Sequence, residues 1–118
     1  MDKTIEVQQV RAALEAFFQG LGNRDRVRIC EVWHPEARLF LNNAALSAQC
    51  LSFLLDLPEA LRFEICAIPH VDVHCVIATA RVDYRLSVGE HSGFFNLVKA
   101  GGRWVIASWV DHGAVRSA

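Results

Sequence analysis

The chain has 118 residues, of which 53% are hydrophobic and 21% charged, and its formal net charge is −1. This length predicts a single domain, residues 1–118, with one hydrophobic core. The composition excludes intrinsic disorder. Because there is no basic excess, nothing draws the chain to a phosphate backbone, and we expect no nucleic-acid partner.

No stretch approaches the roughly 20 apolar residues of a membrane span, and the first ten residues, MDKTIEVQQV, lack the apolar run of a signal peptide. We therefore expect a cytoplasmic protein with no membrane partner. The four cysteines, at positions 30, 50, 66 and 75, have apolar neighbours and no Cys-x-x-Cys spacing. This pattern predicts buried free thiols, with no metal and no cofactor.

Two helices are predicted at the start of the chain. Apolar residues three and four apart predict an amphipathic helix from Thr4 to Gln19, which Gly20 and Gly22 then end. A shorter helix is predicted from Arg24 to Trp33, and Pro35 prevents its continuation.

The remainder of the chain is predicted to be mostly sheet. The segment HPEARLFLNN reads as a turn followed by a short strand, and Ser47 can cap a third helix that runs to Leu55. Beyond that helix the hydrophobic period changes to two. The predicted strands are Arg62–Val71, Val76–Val88, His91–Ala100 and Arg103–His112.

Helices followed by a long antiparallel meander predict an α+β fold, with the helices packed on one face of the sheet. No helix remains to cover the other face. Because an apolar sheet face left uncovered commonly binds a second copy of the same chain, we expect a homodimer through the outer sheet face.

Four segments resemble the nuclear transport factor 2-like superfamily in order and approximate spacing: FFQGLGNRD, WHPEARLF, ARVDY and LVKAGGRWVIASWV. The resemblance spans almost the whole chain and is strongest to the lumazine-binding and polyketide-cyclase-like branches. It implies a strongly curved sheet, wrapped with helices into a cone whose open end holds a small-molecule pocket. Because the superfamily contains isomerases, dehydratases, hydrolases and non-catalytic dimerisation modules, the fold alone does not select a function.

A weaker, local resemblance to limonene epoxide hydrolase implies a catalytic site. In that family an Arg-x-Asp on a central strand and an Asp at the end of the last strand activate a water molecule. Here ARVDY supplies Arg81 and Asp83, SWVD supplies Asp111, and FLN places Asn42 where the family has a water-holding asparagine. Phe40 stands where the family has a water-holding tyrosine.

Strand geometry makes Asp111 and His112 competing catalytic candidates, because successive side chains point to opposite faces of a sheet. One face of the last strand carries Trp104, Ile106, Ser108, Val110 and His112, and the other carries Val105, Ala107, Trp109 and Asp111. Whichever face lies inside the cone decides which candidate reaches the pocket.

The predicted strand Val76–Val88 leaves two interpretations open. Its polar face carries Arg81, Asp83 and Arg85, and its apolar face includes Tyr84. The polar face is either exposed, with an arginine paired to Asp83, or inside the cone, where a paired charge would mark a site.

Large or polar side chains on the predicted strands are candidates for the pocket lining. The candidate ligand-binding residues are Trp33, Phe40, Asn42, Phe94, Asn96 and Trp109. Asn96 belongs to this set because it interrupts an apolar strand and needs partners if it is buried. His70, His74 and His91 fall at strand ends or turns, so we expect them to be solvated and not to bind a metal.

These patterns support three functions, in order of preference. The first is a dimeric protein that binds an apolar or heteroaromatic small molecule, without established catalysis. The second is a cofactor-independent hydrolase that uses Arg81, Asp83, Asp111 and Asn42. The third is a dimerisation module with a filled cavity. The hydrolase requires Asp83 and Asp111 on the same face of the sheet.

Overall fold

A computed structural model describes residues 3–42, 47–48, 51–56, 63–86 and 89–114. In chain order its elements are α1 (Thr4–Asn23), α2 (Arg26–Val32), β1 (Trp33–Asn42), β2 (Ser47–Ala48), α3 (Leu51–Leu55), β3 (Glu64–His74), β4 (Ile77–Leu86), β5 (Gly89–Ala100) and β6 (Arg103–Ala114). Helices first and long strands second confirm the predicted α+β fold. No helix within the described ranges is long and apolar enough to cross a membrane.

Helix α1 is one turn longer than predicted. It continues through Gly20 and Gly22 and ends where Arg24 adopts a left-handed conformation, with φ at 53° and its N–H donating back into the last turn. Gly20 lies inside the helix, where the absence of a side chain allows α2 to pack closely against α1. A Cβ there would lie 2.8 Å from Cγ1 of Ile29. The close approach of α1 and α2 therefore depends on this glycine.

The segments after α1 differ from the prediction in detail. Asp25 caps α2 by accepting a hydrogen bond from the Arg28 N–H at 3.1 Å. Pro35 lies inside β1, where the register with β6 is irregular, as suits a residue without a backbone N–H. In the segment predicted as a third helix, Ser47–Ala48 pairs with β1 as strand β2, and the helix is confined to Leu51–Leu55.

The strands form one open sheet in the order β2-β1-β6-β5-β4-β3. From β3 to β6, each strand pairs antiparallel with the next strand along the chain, which confirms the predicted meander. The sheet is nevertheless mixed, because β1 pairs parallel to β6. Strand β6 is therefore flanked on both sides, and its inward side chains lie near the middle of the fold.

Helix α1 packs across one face of this sheet. We call it the inner face; it carries the buried side chains of Val82 and Tyr84 on β4 and Trp109 on β6, and the opposite face is the outer face. The helix contributes the core residues Val10, Leu14, Phe17, Phe18 and Leu21. The core therefore lies between α1 and the inner face.

Polar contacts fix the start of α1 on the sheet. The Glu6 carboxylate accepts hydrogen bonds from Lys99 Nζ and Trp104 Nε1, both at 2.8 Å. These two donors, Lys99 first, hold the pKa of Glu6 below its usual range. Lys3 Nζ also donates to the Val73 carbonyl at 2.9 Å. The first turns of α1 are therefore tied to β3, β5 and β6.

The described cysteines are exposed, so the prediction of buried thiols is wrong for them. Cys30, Cys66 and Cys75 are free and exposed, and Cys50 lies outside the described residues. Cys66 lies at an irregularity in the pairing of β3 with β4. Cys75 lies in the β3–β4 turn with φ at 56°. Their place in the fold decided their exposure, on helix α2 for Cys30 and in or beside β3 for Cys66 and Cys75, and the apolar neighbours in sequence did not.

Candidate functional site

The inner face of the sheet carries a group of polar side chains within the core. Tyr84 on β4, His91 on β5, and Trp109 and Asp111 on β6 meet where these strands adjoin. The side chains of His91 and Asp111 are 0% exposed. We call these four residues the buried cluster. Across the described ranges, no group of three or more His, Cys, Asp or Glu residues is placed to hold a metal ion.

A β-bulge in β6 brings Asp111 to the inner face. The pairing of β6 with β5 shifts by one residue between Ile106 and Ser108, which makes Ala107 the extra residue. Ile106 and Trp109 are three residues apart and are both buried. Simple alternation along β6 therefore fails at Ala107, and Asp111 shares the inner face with Trp109 two residues before it.

Tyr84 connects the polar groups of the cluster. Its hydroxyl accepts a hydrogen bond from Trp109 Nε1 at 3.2 Å and donates to the Asp111 carboxylate. Burial, followed by the hydrogen bond to Asp111 and the charge of that carboxylate, raises the pKa of Tyr84 far above its ordinary value. Tyr84 is therefore a neutral donor that holds Asp111 in place.

His91 is the less satisfied member of the cluster. Its ring stacks on Tyr84, with centroids 5.9 Å apart and planes 8° apart. Nδ1 lies 3.4 Å from Asp111 Oδ1, near enough for an ion pair but not aligned as a hydrogen bond. Neither ring nitrogen has a hydrogen-bond partner in the described part of the chain. The prediction that His91 is solvated is therefore wrong, whereas His70 and His74 are exposed as predicted.

An aromatic layer separates the cluster from an open cleft beside the end of α1. Phe18 and Phe63 contact Tyr84, with ring centroids 5.3 and 5.8 Å away. The same two rings line a cleft of about 560 Å³. The other described lining residues are Glu15, Gln19, Gly22, Asn23, Glu64 and Ile65. The cleft and the cluster are thus neighbours through two shared aromatic side chains.

The predicted water-activating site of Arg81, Asp83 and Asp111 does not form. Arg81 and Asp83 lie on the outer face, where Arg81 Nε donates to Asp83 at 3.0 Å and the Ser92 hydroxyl donates to Asp83 at 2.7 Å. Asp111 is buried on the inner face. Because the two carboxylates point to opposite faces, they cannot share one water. The exposed-pair interpretation of β4 agrees with this geometry.

Three predicted pocket residues also lie on the outer face. Phe40, Phe94 and Asn96 are exposed, and the Asn96 amide donates to the Ser108 hydroxyl at 2.9 Å. On β5 the buried positions include Phe95, so the residues on either side of it point outward. These three residues cannot line a pocket inside the cone.

Trp33 and Trp109 lie on the inner side of the sheet, but neither is among the described residues that line the cleft. Trp33 is half-buried and stacks on Phe17 with ring centroids 5.3 Å apart, so it packs as part of the core. Trp109 belongs to the buried cluster. The side chains of Asn42 and His112 lie outside the described part of the structure.

Sequence reasoning did not single out Tyr84 or His91. Tyr84 carried a usable signal, because it is the only tyrosine of the chain and lies in an apolar strand face, where its hydroxyl needs a partner. His91 carried no comparable signal. Its burial follows from its position directly opposite Tyr84 in the β4–β5 pairing.

Known proteins share this fold. The family described as "Putative lumazine-binding" matches residues 5–110, and no curated protein matches the chain. A nuclear transport factor 2-like protein of unknown function from Shewanella baltica aligns with a TM-score of 0.76 and 20% identity, covering 95% of this chain and 96% of its own. A "putative dehydratase" of the same fold family from Streptomyces avermitilis aligns with a TM-score of 0.78 and 13% identity, covering 98% and 100%. At such identities the likeness shows the fold alone.

Proposed function

Because this chain belongs to the lumazine-binding family, we propose that it binds a small heteroaromatic molecule in the cleft beside the end of α1. The observation that carries the proposal is the cleft of about 560 Å³, which falls within the roughly 300–1,000 Å³ of small-molecule sites. Phe18 and Phe63, which are 3% and 7% exposed, give the base of the cleft an apolar aromatic surface against which a flat ring would pack. Gln19 and Asn23 supply amide groups for ring nitrogens and carbonyl oxygens.

The charges around the cleft favour a neutral or cationic ligand. Glu15 and Glu64 line it, and its described lining includes no Lys or Arg. An anionic ligand would meet two carboxylates without a compensating cation. An open cleft of this size also argues against the alternative of a dimerisation module with a filled cavity.

Lumazine itself, pteridine-2,4-dione, is a fluorescent probe for this proposal. We expect saturable binding to the purified protein. Gly22→Phe should weaken that binding by about tenfold or more, because nothing lies within 4 Å of a Cβ at Gly22 and the new ring would fill the cleft. Gln9→Phe adds the same ring on an exposed turn of α1 outside the cleft and should bind as the wild type does.

Native mass spectrometry of the protein as purified provides a second reading that does not depend on the probe. A retained small molecule should be present in the wild type and in Gln9→Phe and absent from Gly22→Phe. Equal lumazine affinities for the wild type and Gly22→Phe would contradict binding in the cleft.

We also propose that the outer face of the sheet binds a second copy of the chain. Phe40, Val110 and Phe94 are consecutive cross-strand neighbours on β1, β6 and β5. They are 50%, 44% and 51% exposed. We call them the outer stripe. A contiguous apolar stripe on a sheet face that α1 does not cover supports an isologous dimer.

A further inference from the structure

One face of helix α1 forms a wall of the cleft with its side chains. The lining positions on this helix recur at intervals of three and four residues: Glu15, Phe18, Gln19, Gly22 and Asn23. Because residues at this spacing share one face of a helix, their side chains point toward the cleft. Glu15, Gln19 and Asn23 therefore form a row of polar side chains, one per helical turn, beside the aromatic base of the cleft.

Arg28 of α2 fixes the orientation of the Gln19 amide. Its guanidinium donates a hydrogen bond from Nη2 to Gln19 Oε1 at 3.1 Å. A side-chain amide has a carbonyl oxygen that accepts and an NH2 group that donates. Because the positively charged guanidinium holds the oxygen, the donor end of the amide, Nε2, is the end that remains for a molecule in the cleft. Arg28 itself is not among the described residues that line the cleft.

Glu15 has the opposite hydrogen-bonding character. Its carboxylate offers acceptors only, and it lies one turn before Gln19, about 6 Å along the helix axis. The wall of the cleft therefore presents an acceptor and a donor one turn apart. Two groups at this separation reach neighbouring atoms on one edge of a flat molecule rather than its two ends.

We propose that the cleft selects a neutral heteroaromatic molecule with a lactam edge, that is, a ring N–H beside a ring carbonyl. Glu15 accepts the hydrogen bond from the N–H, Gln19 Nε2 donates to the carbonyl oxygen, and the ring packs against Phe18 and Phe63. Arg28 is a positioning residue that acts through Gln19. A ring without the N–H would cover the Glu15 carboxylate without pairing it, which costs affinity. This inference rests on the proposed binding in the cleft and names the chemical class of the ligand.

Two isomeric probes test the N–H contact. 6-Methylquinolin-2(1H)-one has a lactam edge, whereas 1-methylquinolin-2-one has the same carbonyl and the same methyl group but no N–H. We expect isothermal titration calorimetry to show that the wild type binds the first isomer about fivefold or more tightly than the second. Glu15→Ala should bring the ratio of the two affinities close to one. Glu31→Ala removes an exposed glutamate of α2 outside the described lining of the cleft and should keep the wild-type ratio.

Gln19 and Arg28 are tested through the carbonyl that both isomers share. Gln19→Met keeps the length of the side chain but removes the donor, so it should weaken the binding of both isomers by about threefold or more and keep their ratio. Gln9→Met, at an exposed position of α1 outside the described lining of the cleft, should bind as the wild type does. Arg28→Met should weaken both isomers because it releases the Gln19 amide, and it should add no further loss to Gln19→Met. A purely structural role of Arg28 would weaken binding equally in both backgrounds.

Equal affinities of the wild type for the two isomers would overturn the lactam inference, and so would a preference that survives in Glu15→Ala. Failure of both isomers to bind the wild type would overturn it as well. None of these results contradicts the cleft as a binding site, provided that Gly22→Phe still weakens lumazine binding. Binding of lumazine and of both isomers that Gly22→Phe leaves unchanged would instead contradict the proposed function. The two failures are therefore distinguishable.

Discussion

Among single residues, Tyr84 connects the cluster, because its one hydroxyl accepts a hydrogen bond from Trp109 and donates one to Asp111. Tyr84→Phe keeps the ring against Phe18 but leaves the buried Asp111 carboxylate with one donor fewer. We expect it to lower the free energy of unfolding by about 1–3 kcal/mol at neutral pH. Urea denaturation measures this change, and an unchanged midpoint would contradict the hydrogen-bonding role.

The same substitution has a signature at alkaline pH. Because burial and Asp111 raise the pKa of Tyr84 in the folded protein, the unfolded chain ionises first as the pH rises. The contribution of the neutral Tyr84 hydroxyl to the free energy of unfolding is fully present below the tyrosine pKa of the unfolded chain, about 10. Above it, that contribution falls by up to about 1.4 kcal/mol per pH unit. Urea midpoints should therefore fall faster for the wild type than for Tyr84→Phe above about pH 10, and parallel curves would refute the raised pKa.

The absence of a side chain at Gly93 leaves the space that the rings of the buried cluster occupy. A Cβ at this position would lie 2.7 Å from Trp109 Nε1, 2.8 Å from Tyr84 Cε1 and 3.0 Å from Phe95 Cε1. Because these are packed ring atoms, Gly93→Ala should cost about 1–3 kcal/mol of unfolding free energy. Gly22→Ala is the control, since it meets nothing within 4 Å and should gain about 0.5–1 kcal/mol as a helical alanine. Thermal unfolding distinguishes the two, and a gain at both positions would be inconsistent with the packing around Gly93.

Among the elements, β6 depends on its bulge. Removal of Ala107 restores simple alternation and keeps Ile106, Trp109 and Asp111 inward, so the deletion variant should stay folded with near-native near-ultraviolet circular dichroism. Removal of Val105 instead turns either Trp104 or Ile106 outward. That variant should lose about 1.5–3 kcal/mol, the burial of one large side chain. Equal losses for the two deletions would contradict the placement of the bulge.

The sequence predicted the type of each element better than it predicted which side chains point inward. Element type is a local signal, whereas the inward face of a strand depends on its pairing with other strands. The spacing of Leu14, Phe17 and Leu21 identified α1, and all three residues are buried. Alternation along β6 placed Ile106 and Trp109 on opposite faces, although both are buried. Nothing in the residues themselves marks the bulge, since it arises from the pairing with β5.

Two of the four residues of the buried cluster, Trp109 and Asp111, were candidates from the sequence. The partners predicted for Asp111 on β4, Arg81 and Asp83, were wrong. Tyr84 and His91 come from other strands and meet Asp111 through register. Arg81 and Asp83 lie two residues apart on β4 and pair with each other. Their side chains point to the sheet face opposite the one that carries Asp111. Sequence spacing therefore predicted neighbours on a strand but not neighbours across the sheet.

In the molecule as a whole, the sheet has one covered face and one apolar stripe on the other. Strand pairing extends the outer stripe of Phe40, Val110 and Phe94 to Arg81 on β4, so the stripe ends at a charge. A two-fold dimer would bury the stripe of each copy against that of the other. The cleft lies beside α1, on the covered side, so dimerisation and ligand binding would use different surfaces.

We therefore expect sedimentation velocity to show a dimer for the wild type and a particle of about half that mass for Phe94→Asp, because the new carboxylate would be buried without a partner at the interface. Val76→Asp is the matched control. It places the same charge on an exposed apolar residue in the β3–β4 turn, outside the outer stripe, and should remain dimeric. Phe94→Asp should also keep the lumazine affinity of the wild type, since the cleft lies on the other side of the sheet. A wild type that sediments as a monomer, or equal masses for the two variants, would rule out a dimer through this face.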